Sequence, residues 1–189
     1  MGNYILKTLH FCLILSFGFI ISCKNNTVSA LHSNENPLQR NTGLSIFGAN
    51  VEINSNLSYQ TINIEKTDVT GEPIISYKDI VSYDTARHII TLSYSGDSLK
   101  NNIGQIGVYG KSFIVALDSQ KMYGGWFWTP ISSVSCQWVV INITYSENSV
   151  SPTQIKIELG YPSESAFQGV DPRNNRKIID RLIKDKKAI

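Results

Sequence analysis

The chain is predicted to adopt an α+β fold: a mostly antiparallel sheet of six to seven strands with a C-terminal helix packed on one face. Short runs with apolar residues at alternate positions recur between Leu44 and Leu159, the period of half-buried strands. One strong helical signature closes the chain, where Ile178, Ile179, Leu182 and Ile183 repeat at helical spacing. Strands do not alternate with helices, so nothing favours a doubly wound parallel sheet.

The first predicted strands are Leu44 to Ile53 and Leu57 to Thr67, separated by Asn54-Ser55-Asn56 as a turn. Gly71-Glu72-Pro73 breaks the pattern, and Ser76 with Asp79 three residues on predicts a capped helical turn from Tyr77 to Ser82. Arg87 to Tyr94 alternates as a strand, which places His88 mid-strand, and Ser95 to Gly107 reads as a short helix or loop. Ser112 to Asp118 is nearly all apolar, as befits a central strand covered on both faces. The chain turns at Asp118-Ser119-Gln120-Lys121 and returns as Met122 to Trp128. Gln137 to Tyr145 and Thr153 to Leu159 complete the sheet, the latter with Lys156 and Glu158 on a wet face. For the terminal helix, Asp171 is the expected N-cap and Pro172 the first helical residue.

Ahead of this domain, residues 1–22 have the makings of a secretory leader. Lys7 supplies a positive start, Leu9 to Ile21 an apolar stretch, and Ser22 a small residue before Cys23. The apolar stretch falls short of the roughly 20 residues that span a bilayer. Ile20-Ile21-Ser22-Cys23 resembles the lipobox of bacterial prolipoproteins. The resemblance implies that the leader is cut before Cys23 and that this cysteine carries lipid, which would hold the domain on the cell membrane or outer membrane, outside the cytoplasm. Lys24 is not the aspartate linked to inner-membrane retention in enteric lipoproteins, which favours an outer location. Residues 23–42 are then the lipidated cysteine and an Asn- and Ser-rich flexible spacer, and residues 43–189 a single globular domain.

Loss of the leader leaves 16 basic against 15 acidic residues, a balance with no electrostatic footprint for nucleic acid. It also removes Cys12, so with Cys23 acylated Cys136 has no disulfide partner within the chain.

The search for chemistry yields little. The domain from Gly43 onward holds one histidine, His88, and no Gly-x-Ser-x-Gly elbow, and a Cys136–His88 pair would have to form by long-range folding. One histidine and one free cysteine do not make an ordinary zinc site, and Asp79 and Asp84 lack the spacing of a calcium loop. No metal or cofactor is expected. Gly110-Lys111-Ser112 matches the end of a phosphate-binding loop, but Gln105 stands where the Walker pattern needs glycine, and a strand follows instead of a helix. The most unusual stretch is Tyr123-Gly124-Gly125-Trp126-Phe127-Trp128. Its rings pack in the core, or Tyr123, Trp126 and Trp128 form a contact surface for an envelope protein, peptide or glycan, with the paired glycines admitting close approach to the backbone.

Glu72-Pro73-Ile74-Ile75, Asp79-Ile80-Val81-Ser82-Tyr83, the strand His88 to Leu92, Gly110 to Asp118 and Tyr123 to Phe127 follow one another in an order that is similar to that of uncharacterised bacterial envelope proteins of comparable length. The same order distantly resembles the periplasmic head subdomain of the SecDF translocase subunit, over about 60 residues. That resemblance implies a head-like α+β domain outside the membrane and no enzymatic activity. The functional expectation is a non-enzymatic, lipid-anchored envelope module. The alternatives are an envelope hydrolase pairing two of Asp79, Asp118 and Asp171, and a structural surface lipoprotein.

Overall fold

Pairing of the alternating runs produces one eight-stranded, mostly antiparallel sheet in the order β2-β1-β5-β6-β7-β8-β4-β3. The computed structural model describes residues 36–51, 61–143 and 151–189; the leader, Cys23 and most of the predicted spacer lie outside them. The strands are β1 Leu44–Asn50, β2 Asp68–Ile75, β3 Ile80–Asp84, β4 Ile89–Leu92, β5 Lys111–Leu117, β6 Gln120–Trp128, β7 Cys136–Asn142 and β8 Gln154–Tyr161. Helices α1, Gly96–Ile103, and α2, Arg176–Lys184, complete the α+β plan.

The centre follows the sequence closely. β5 and β6 are joined by Asp118 and Ser119, both at positive φ (46° and 70°), the backbone of a tight two-residue hairpin whose twist suits the strands. The pair β6–β7 is parallel, Trp126 opposite Val140 and Phe127 opposite Ile141. α1 starts at an N-cap in which Ser95 Oγ accepts from the Ser98 amide, and it buries Leu99 and Ile103.

Four local expectations are corrected. The strand predicted over 57–67 is absent from its described part, 61–67, where Asn63 accepts from the Lys66 amide and the Thr67 hydroxyl to fold a turn. Lys121 Nζ clamps this turn by donating to the carbonyls of Ile64 and Thr67. The strand begins instead at Asp68 and runs through Gly71-Glu72-Pro73. β2 is an edge strand, where proline is tolerated, and its pairing with β1 breaks between Thr70 and Ile75, so the three residues bulge away.

The helical turn predicted at Tyr77 to Ser82 shrinks to a 3₁₀ turn, Tyr77–Asp79, in which Ser76 makes no side-chain cap. Val81 and Tyr83, with their preference for a pleated surface, continue as β3, the strand that raises the count to eight. At the C-terminus α2 starts at Asn175, whose Oδ1 accepts from the Lys177 amide, because Asp171 is already engaged by Arg173. Beyond α2 the chain returns along the edge of β3: Tyr83 N donates to Lys187 O, and Ile189 N to Tyr83 O.

The fold also reaches further toward the N-terminus than Gly43. A 3₁₀ turn, Pro37–Arg40, buries Leu38 against Phe47 and Ala116, so residues 36–42 belong to the domain and not to a spacer. A larger core joins both helices to the sheet, with Ile178 and Leu182 of α2 packed into it.

Candidate functional site

The rings singled out in β6 are interior. Tyr123, Trp126 and Trp128 are 5%, 4% and 0% exposed, which is the core packing rather than the contact surface of the two readings. The paired glycines do admit a close approach, but by the protein itself. A Cβ on Gly125 would stand 2.3 Å from the Phe113 ring, and one on Gly124 would stand 2.7 Å from Ile62. Trp138 Nε1, on the neighbouring strand, donates to Gly124 O at 2.9 Å. Two faces of packing, not a ligand, account for this motif.

The polar chemistry gathers elsewhere, at the β3–β4 hairpin. Asp84 Oδ1 accepts from the amides of Ala86 and Arg87, and its other oxygen pairs with Arg87 Nε at 2.6 Å, which shapes the turn. His88 is therefore not mid-strand. It closes the turn at φ +56°, a left-handed conformation where glycine is the inexpensive residue. The residue is 7% exposed and its Nδ1 lies 3.0 Å from the Tyr83 hydroxyl. Burial, reinforced by the charge of Arg173, lowers the His88 pKa and favours the neutral imidazole. Burial raises the pKa of Tyr83, and that of Tyr123 well above the tyrosine range, so both hydroxyls keep their protons.

Arg173 and Asp171 complete the group. Arg173 places Nε and one terminal nitrogen on the two Asp171 oxygens, each at 2.9 Å, and gives the other terminal nitrogen to Ile157 O. Burial pushes the Asp171 carboxyl up, but the hydrogen bonds and charge of Arg173 outweigh it and leave the group below its usual range.

Two open depressions adjoin here. One, of about 580 Å³, is lined by His88, Asp171, Asn174 and their neighbours. The other, of about 250 Å³, runs past Asn142, Glu158 and Tyr161. They share Lys156, Glu164 and Arg173, so together they make a polar trench along β8. Lys156 and Glu158 bridge at 3.4 Å across its wall.

What the trench offers is hydrogen bonding from groups already fixed by one another. The three carboxylates proposed for hydrolysis each have their own partners or setting. Asp171 is forked by Arg173, Asp118 is held by the Gly43 amide and Arg181, and Asp79 sits in the 3₁₀ turn before β3. Only Asp171 of the three lines the trench. Cys136 is buried with its thiol pushed up to about 11, so it stays protonated near neutral pH and behaves as a small apolar side chain. Among the described residues no group of three or more His, Cys, Asp or Glu side chains could hold a metal ion, and no helix is long and apolar enough to cross a membrane. Gly110 leads straight into β5, so Gly110-Lys111-Ser112 is the start of a strand; Lys111 Nζ donates back to Ile103 O.

No protein-family model, curated protein sequence or solved structure matches this chain. The likeness to the SecDF head domain therefore rests on the short motifs alone. Sequence reasoning places Lys156 only on the wet face of its strand and does not single out Glu164 or Arg173. The available signal was Asp171-Pro172-Arg173, where a proline sets an acid and an arginine two residues apart, but the helix-cap reading of Asp171 obscured it.

Proposed function

We propose that the protein is a lipid-anchored lipoprotein of the cell envelope whose domain is a non-enzymatic binding module. Two kinds of support meet. The Ile20-Ile21-Ser22-Cys23 lipobox after a charged and apolar leader supports attachment through Cys23. For binding, the observation that carries the reading is the Arg173–Asp171–Ile157 clasp in a wall of the trench. It holds the guanidinium of Arg173 and the carboxylate of Asp171 in fixed positions, each committed to the other. Fixed polar groups lose little freedom when a peptide or glycan is bound.

Intact-mass measurement of protein extracted from membranes tests the anchor. The expected mass is that of the chain from Cys23 onward plus lipid, and Cys23→Ala protein should leave the membrane fraction. For the trench, crosslinking from intact cells is compared between the parent and a Lys156→Glu, Glu164→Lys double variant, both residues being exposed. A crosslinked product unchanged by both substitutions would remove the trench from the reading.

A further inference from the structure

At one end of the sheet, two tight turns carry apolar residues at their corners. In the first, Gly110 N donates to Gly107 O, placing Val108 and Tyr109 at the corner; in the second, Ser132 N donates to Thr129 O, placing Pro130 and Ile131 there. Turn corners ordinarily carry Asn, Asp, Gly or Ser. Here Ile131 is 89% exposed, Val108 54% and Tyr109 43%. Ser132 Oγ donates to Val108 O at 2.5 Å, lacing the two turns together. The apolar side chains thus stand on one rigid ridge.

The charge pattern points the same way. Residues 104–110 and 129–135 contain no Asp, Glu, Lys or Arg. A protein partner in water is usually met through a polar, charged rim around an apolar centre. A ridge of isoleucine, valine and tyrosine on neutral, hydroxyl-bearing loops matches the boundary between lipid headgroups and acyl chains, where a tyrosine keeps its ring in lipid and its hydroxyl in water.

We infer that this ridge, Val108-Tyr109 with Pro130-Ile131, docks into the interfacial layer of the bilayer that carries the Cys23 anchor. The inference rests on the proposed lipidation. The ridge lies at the end of β5 opposite Leu117, the residue paired with Leu44, so the chain joins the sheet at the far end. The stretch 23–35, ahead of the folded Pro37–Arg40 turn, can extend about 44 Å at roughly 3.4 Å each, while seven-residue β5 is about 23 Å long. The anchor therefore reaches the plane of the ridge with length to spare. Two attachments would set the orientation of the domain, its ridge in the membrane and its N-terminal 3₁₀ turn away from it.

The test uses the lipidated full-length protein, reconstituted in phosphatidylethanolamine–phosphatidylglycerol vesicles. Ile131→Cys, Val108→Cys and, as the distant control, Glu72→Cys are labelled with an environment-sensitive fluorophore; Cys136 is buried and escapes labelling. Docking predicts blue-shifted emission at 131 and 108, and quenching by nitroxide lipids several-fold stronger than at 72. Emission and quenching at 131 and 108 equal to those at 72 would overturn the inference. A blue shift that arises only when other membrane proteins are co-reconstituted would assign the ridge to a protein and overturn it as well. Intact mass of the same samples reports lipid on Cys23 separately, so failure of the anchor and failure of the ridge are read independently.

Discussion

Arg173 grips Asp171, two residues before it, through two 2.9 Å contacts and spends its remaining terminal nitrogen on the Ile157 carbonyl. The arginine side chain is 11% exposed, so water cannot replace what it supplies. Removing one member strands the other and frees the segment before α2. Arg173→Ala is expected to lower stability by about 2–4 kcal/mol in urea unfolding, and Arg173→Lys to recover only part of it, since an ammonium cannot make the fork.

The same clasp has an acid signature. The folded-state pKa of Asp171 lies below its unfolded value of about 3.9. Its stabilising contribution is therefore complete above pH ~4 and is lost as pH falls through the folded-state value. Asp171→Asn should be less stable at neutral pH yet lose less on acidification below pH ~4 than the parent, as followed by thermal melts.

His88 acts in a separate window. Its folded pKa is also depressed, so its contribution is complete above its unfolded value of about 6.5 and declines as pH falls toward the folded value. Stability measured between pH 7 and 5 should slope downward in the parent and more weakly in His88→Gln. An unchanged slope would mean that the imidazole is equally easy to protonate in the two states.

Phe113 and Gly125 divide one space, the ring standing where a Cβ would be. Gly125→Ala is expected to destabilise by about 1–3 kcal/mol or more through overpacking. Phe113→Leu should relieve part of that penalty, so the double variant should be more stable than additivity of the single changes predicts. Denaturant midpoints of the four proteins check this.

Trp128 is fully buried, so Trp128→Ala should cost about 3–5 kcal/mol of stability, the usual range for emptying a core site of that size. Wild-type stability in this variant would return the β6 rings to the surface. Cys136 supplies a simple companion measurement: its thiol, raised to about 11 and buried, should react with a thiol reagent at pH 8 only at the rate of unfolding.

The sequence by itself determined the features that follow from local periodicity. The α+β class, the central hairpin of β5 and β6, strand β8 with Lys156 and Glu158 on its wet face, and the terminal helix all arise from residues close in the chain. Turn chemistry was also legible where glycine or paired turn residues dominate, as at Asp118-Ser119. The tertiary structure decided what depends on distant partners. Gly124 and Gly125 are spaces kept for Ile62 and Phe113, and the period-two rings beside them are equally consistent with a surface or a core until both faces are seen to be covered. Asp171 could cap a helix or accept an arginine; Arg173, anchored on Ile157 of β8, took it, and Asn175 became the cap. Tyr83, read as the residue after a helical turn, lies in a strand because β4 and the returning C-terminal segment pair with it on both sides. A local pattern fixes which backbone shapes are inexpensive. The choice among them is made by hydrogen bonds and packing contributed from elsewhere in the chain.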